Sequence, residues 1–161
     1  MSRNWIDTDV SIEADAGRTI AEIFADEGEA GFRNLESAQI LGLGSLKESA
    51  IISLGGGAVL RSENRKRIRE LGKTVWLQAS VETIHGRIAN DLTTQARRPK
   101  LSKLGDLEEI RTILETRWAW YNEVADLAIN TDDLSMQQVA ATVADWFQLI
   151  TGAQRKQYGS D

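Results

Sequence analysis

Short apolar runs alternate along the chain with longer stretches in which apolar residues recur at helical spacing. Trp5-Ile6-Asp7 reads as the end of a strand. Thr19, followed three residues later by Glu22, forms a capping box that opens a helix over Ile20-Ala21-Glu22-Ile23-Phe24-Ala25, stopping near Gly28. A second helix is predicted from Ala30 to Ile40, with Phe32, Leu35 and Ile40 as its apolar stripe. Ile51-Ile52-Ser53-Leu54 reads as a buried strand ending in Gly55-Gly56-Gly57. Ser62 is expected to cap a basic helix through Ile68 to about Leu71, closed by Gly72. Thr74-Val75-Trp76-Leu77 is the next strand, and Ser80 caps the helix after it. Asp106 with Glu109 caps a long helix to about Tyr121, and Leu127-Ala128-Ile129 is the last strand. Ser135 with Gln138 caps the final helix, through Trp146 and Ile150.

Continuous apolar strands separated by helices predict an α/β fold with a parallel sheet covered on both faces. Ligands of such sheets bind beyond the strand carboxyl ends, where Asp7, Asp9, the glycine triplet and the Arg98 segment should gather. Thr93 to Gly105 is the longest irregular polar stretch and is expected to be the most mobile internal segment. Residues 1–152 read as one domain and 153–161 as a loose polar tail.

Composition narrows the function classes. The 161 residues suit a single domain, and 19 Lys+Arg against 24 Asp+Glu leave a net charge of −5. That balance argues against non-specific nucleic-acid or anionic-membrane partners. Without cysteine the chain has no disulfide or thiolate metal site, which favours a cytoplasmic setting. A single histidine, His85, leaves no His-based metal cage and no ordinary Ser-His-Asp arrangement unless His85 itself serves. No apolar run approaches the ~18 residues that a membrane span needs.

Several groups could carry chemistry. In Asp7-Thr8-Asp9 one carboxylate could face a metal and the other a substrate hydroxyl, or the pair could simply form a turn and helix cap. Gly55-Gly56-Gly57, directly after a strand, suits a backbone that approaches a ligand closely, although a flexible turn has the same composition. It is not a nucleotide-binding P-loop, because no lysine follows and G-x-x-x-x-G-K-[ST] occurs nowhere in the chain. Arg33, Arg98 and Arg117 offer planar forks for carboxylates or phosphates, or surface ion pairs. Glu36 lies three residues after Arg33 and could hold its guanidinium. The run Arg61, Arg65, Lys66, Arg67 and Arg69 reads as a solvated helix face. Trp118, Trp120 and Tyr121 read as core packing.

Taken together, these stretches resemble the shikimate kinase family over nearly the whole chain. The matching segments are Asp7-Thr8-Asp9 with Ile12-Glu13, Gly17 to Phe24, Gly28 to Glu36, and Ser53 to Val59. Arg98-Pro99, Arg117 with Tyr121, and Ala125-Asp126 complete the set. The resemblance implies a P-loop-kinase-like (nucleoside monophosphate kinase-like) three-layer fold, a parallel sheet with helices on both faces. It implies ATP-dependent phosphorylation of the shikimate 3-hydroxyl, on the route to aromatic amino acids.

The implied site is specific. Asp9 resembles the carboxylate that binds the shikimate hydroxyls and helps deprotonate the attacking one. Arg33 and Arg117 resemble the pair that grips the shikimate carboxylate, and Gly55, Gly56 and Gly57 the backbone wall of the pocket. Glu36 resembles the residue that orients Arg33, and Asp7 the residue that contacts Mg²⁺ through water. Arg98 resembles the lid arginine that reaches the ATP phosphates, with Arg87 near the adenine. The partners implied are shikimate and ATP, with no nucleic acid or membrane, for a cytoplasmic monomer.

One departure is large. In the family a strand, the phosphate-binding loop and a helix precede the aspartate pair, whereas here Met1 stands six residues before Asp7. Roughly 25 residues are therefore expected to be missing, as in a truncated or mis-started reading frame. The sheet should then lack its central first strand and the chain its phosphate cradle, leaving it inactive as it stands. Two alternatives are a non-catalytic shikimate-binding degenerate kinase and a kinase of another small hydroxylated metabolite such as gluconate.

Overall fold

The structure, a computed structural model, describes the backbone of residues 4–90 and 106–157 and the side chains of 4–90 and 107–152. In chain order the elements are β1 (Asn4–Asp7), α1 (Thr8–Ala16), α2 (Ile20–Gly42), a 3-10 turn (Leu43–Ser45), β2 (Ala50–Ser53) and α3 (Ser62–Leu71). There follow β3 (Val75–Gln78), α4 (Val81–Asn90), α5 (Asp106–Val124), β4 (Leu127–Asn130) and α6 (Met136–Gln157). The expected mobile stretch Thr93 to Gly105 lies outside the described residues.

All strand pairing is parallel, as continuous apolar strands require. β1 pairs with β2, setting Trp5 beside Ile51 and Asp7 beside Ser53. β3 pairs with β4, setting Val75 beside Leu127 and Gln78 beside Asn130. The four strands form two separate pairs rather than one sheet, so each has a single paired edge among the described residues. This is the discontinuity that the resemblance implied. The faces are less covered than expected: Ile51, read as part of a buried strand, is 57% exposed beside Trp5 at 64%. Register puts the two on one face, and no described helix covers it.

Local signals set most helix ends. Glu22 N donates to Thr19 Oγ1 at 3.2 Å while Thr19 N donates to Glu22 Oε2 at 2.7 Å, completing the capping box of α2. Ser135 N donates to Gln138 Oε1 at 2.8 Å, and Ser80 Oγ accepts from Thr83 N at 3.2 Å, so both of those caps form as expected. The two helices expected around Gly28 make one element broken there, where Gly28 adopts φ 68° and ψ −173°, a region open essentially only to glycine. Ser62 is not a cap: Arg61 occupies that position without a side-chain cap bond, and Ser62 is the first helical residue. Gly72 ends α3 in extended rather than left-handed backbone. The Asp106 cap lies outside the described side chains. Backbone helix continues to Gln157, so the first part of the expected tail belongs to α6.

Two small cores result. Ile12, Ile20, Ile23 and Phe32 lock α1 against α2. Ile40, Ala58, Val59, Ile68 and Val124 join α2, the loop after β2, α3 and α5, with Trp120 and Tyr121 against them. Trp118, expected in a core, is 56% exposed and meets Trp76 edge-on at 4.7 Å instead. The basic run is a solvated face only at Lys66 and Arg69. Arg61 donates to Asn34 Oδ1 at 2.8 Å and Ser37 Oγ at 3.1 Å, while Arg65 binds Glu123 at 2.7 Å and the Val59 carbonyl at 2.9 Å. Helical periodicity could not reveal these partners, which lie on other elements.

Gly28→Ala should lower stability by about 1–3 kcal/mol, because a Cβ cannot share that backbone region. Gly86→Ala, in the open interior of α4, should instead raise it by about 0.5–1 kcal/mol. Urea unfolding of the two variants checks the pair, and the opposite signs are the expected result.

Candidate active site

Asp7 closes β1 by capping α1: its Oδ1 accepts from Asp9 N at 2.9 Å and Val10 N at 3.1 Å. Thr8, buried, donates from Oγ1 to the Ser53 carbonyl at 3.1 Å and clamps this turn to the end of β2. Asp9 is thereby carried in the first turn of α1 against Gly55, where an added Cβ would come within 2.9 Å of Asp9 Oδ1.

The next two glycines each receive a different partner. The Gly56 carbonyl accepts from Arg117 Nη1 at 3.1 Å and from the Tyr121 hydroxyl at 2.7 Å. A Cβ on Gly57 would run into Arg33 Nη1, so that guanidinium lies directly on the glycine backbone. Arg33 Nη1 donates to both oxygens of Glu36, at 3.1 and 3.0 Å, while Nε and Nη2 reach Glu29 Oε1 at 3.3 Å. Three consecutive glycines thus bring Asp9, Arg117 with Tyr121, and Arg33 to one turn beyond a strand carboxyl end. Asp9, Arg33 and Arg117, singled out in the sequence, are thus brought to one turn.

Glu36 records the same convergence electrostatically. Only 2% exposed, its carboxyl is pushed above the ordinary value of 4.5 by burial, opposed by the adjacent Arg33. The Asp9 charge adds to the rise and the Arg117 charge opposes it, so all three groups act on one buried carboxyl.

The remaining expected residues divide. Asp7 serves as the helix cap. Among the described residues no group of three or more His, Asp or Glu could cage a metal. Arg87 sits at the carboxyl end of β4, donating from Nη1 to Thr131 Oγ1 at 2.8 Å and from Nη2 to the Thr131 carbonyl at 2.6 Å. Beside it, hydrogen bonds from Ser80 and Thr83 hold the Asp132 carboxyl below its usual range. Arg98 lies outside the described residues. His85 is partly buried in α4, not in the cluster around the triplet. Tyr121, read as core packing, and Arg61, read as a solvated charge, are the site-supporting residues that periodicity missed. The spacing of Arg117 and Tyr121, one helical turn apart, was the available signal for the first.

Side chains converging on a turn beyond the carboxyl end of a parallel strand define the class as an α/β protein with a candidate small-molecule site. Comparison with known proteins narrows the class. The Shikimate kinase family model matches residues 1–148. The shikimate kinase of Symbiobacterium thermophilum is 40% identical over 148 residues, covering 92% of this chain and 83% of that protein. The Rhodopirellula baltica enzyme is 39% identical over 138 residues, covering 86% and 73%. The solved shikimate kinase from Acinetobacter baumannii in complex with shikimate superposes with a TM-score of 0.82 at 31% identity, covering 94% of this chain and 80% of that one. The chain belongs to the shikimate kinase family, phosphotransferases that use ATP as co-substrate. Among the described residues no helix is long and apolar enough to cross a membrane.

A carboxyl that holds its proton more tightly folded than unfolded contributes less stability as pH rises from its unfolded pKa through its folded one. The native protein should therefore lose stability relative to Glu36→Gln as pH increases above 4.5. Urea unfolding of both proteins from acid to neutral pH measures this, and a pH-independent difference would contradict the raised Glu36 carboxyl.

Proposed function

We propose that the cleft binds shikimate and presents its 3-hydroxyl for phosphorylation by ATP. The supporting observation is the glycine triplet, which brings one anionic and two cationic side chains to a single turn. Arg33 and Arg117 grip the substrate carboxylate. Glu36 fixes Arg33 from beneath, while Glu29, 54% exposed, is the partner that a substrate carboxylate can replace. Asp9 accepts hydrogen bonds from the substrate hydroxyls and takes the proton of the attacking one. That oxygen bonds the γ-phosphorus as the bridging P–O bond breaks and ADP leaves. Gly55, Gly56 and Gly57 wall the pocket with backbone.

The nucleotide side is assigned from the family likeness. Arg87 lies toward the adenine and Arg98 toward the phosphates. Mg²⁺ neutralises phosphate charge when bound. Asp7 suits contact through water, since Mg²⁺ keeps several waters and takes one or two carboxylates plus substrate phosphates. The chain contains no G-x-x-x-x-G-K-[ST], so these 161 residues provide the shikimate half of the reaction and not the phosphate cradle. The partners are the two small molecules, acting on a cytoplasmic monomer.

Titration calorimetry of the chain should show shikimate binding and no heat from gluconate, with no phosphoryl transfer when ATP and Mg²⁺ are added. Arg117→Ala should weaken shikimate more than tenfold, since losing a charged partner at a partly buried site costs about 2–5 kcal/mol. Arg117→Lys should recover part, because a point charge cannot reproduce the fork. A folded Arg117→Ala protein within threefold of native affinity would remove Arg117 from the site.

A further inference from the structure

Tyr121 has one function in the fold and a second at the cleft. Its ring packs against the core formed by Ile40, Val59 and Val124, and lies 5.4 Å from the Trp76 ring. Its hydroxyl reaches out of that packing to the Gly56 carbonyl at 2.7 Å, the same oxygen that receives Arg117 Nη1 at 3.1 Å. The two donors stand one turn apart on α5 and share one acceptor, which a carbonyl oxygen with two lone pairs permits.

In the Gly56–Gly57 peptide neither flanking residue has a Cβ to resist rotation. The planar unit turns as a whole, so swinging the Gly56 C=O also swings the Gly57 N–H on the opposite edge. Among the described residues only Arg117 and Tyr121 hold this carbonyl. A substrate carboxylate competes for Arg117, whereas the phenol faces no such rival and keeps its bond.

We propose that Tyr121 is a positioning residue: its hydroxyl holds the Gly56 carbonyl, so that Arg117 can turn to the substrate carboxylate while the pocket wall stays in place. This rests on the shikimate reading of the cleft. Without the hydroxyl, Arg117 is the only donor left on the Gly56 carbonyl among the described residues, and each substrate bound must break or strain that bond.

The test uses the whole chain, with shikimate calorimetry and thermal melts of native, Tyr121→Phe and Tyr121→Ala proteins. Tyr121→Ala should lower the melting temperature and Tyr121→Phe should restore it, since the ring packing returns. Shikimate affinity should not be restored: Kd for Tyr121→Phe should stay about fivefold above native, the equivalent of one net hydrogen bond. Native-like affinity in Tyr121→Phe would overturn the proposal and leave the cleft reading intact. A Tyr121→Phe protein that melts as low as Tyr121→Ala would also overturn it, because the hydroxyl would then be holding the fold. No shikimate binding by the native chain would sink the cleft reading itself, and this proposal with it.

Discussion

The ion pair of Arg33 with buried Glu36, seated on the bare backbone of Gly57, is the constraint from which the rest of the cleft follows. A carboxylate at 2% exposure is tolerated only with a charged partner in good geometry, and removing one partner of such a pair typically costs about 3–5 kcal/mol. The guanidinium can lie there only because Gly57 has no side chain. α2 is thereby fixed to the loop after β2, and Arg61 reinforces the contact through Asn34 and Ser37. With that loop placed, Gly55 meets Asp9 and Gly56 meets the donors of α5.

Local charge in this acidic chain is arranged against its global balance. The net charge is −5, yet two arginines meet at one turn, Arg33 with Glu36 beneath it and Glu29 at the rim, and Arg117 on the Gly56 carbonyl. Glu36 is enclosed and keeps Arg33 pointed, whereas Glu29 is exposed. The arrangement separates the orientation of the arginine from its availability. In the function we propose, such a site recognises a carboxylate by geometry as well as by charge, which a diffuse basic patch cannot do.

α5 carries the connection between the two strand pairs. It packs on α3, where Arg65 bonds Glu123 and lies over the Trp120 ring at 5.5 Å, and on α4. Through Tyr121 and Trp118 it also touches Trp76 of β3. At its carboxyl end Asp126 binds Lys73 and Thr74 N, contacts that hold its carboxyl below the usual range despite partial burial. One helix thus links the glycine turn, the second strand pair and the aromatic cluster.

The sequence by itself determined most of the elements and many of their ends, although α1 showed only as a possible cap at Asp7. Capping boxes, the Gly28 break and the apolar strand runs act within a few residues, so their physics is written locally. It also carried Asp9, Arg33, Glu36, the glycine triplet and Arg117 as candidates, through their joint order more than through any one motif. Only the tertiary structure decided what those residues touch. Arg61 and Arg65 read as solvated because their partners, Asn34, Ser37 and Glu123, lie far away along the chain. Trp118 and Ile51 read as buried because periodicity names a face without naming what covers it. Tyr121 read as packing because a ring's apolar surface is visible in a sequence, while the carbonyl that its hydroxyl will meet, sixty-five residues away, is placed only by folding.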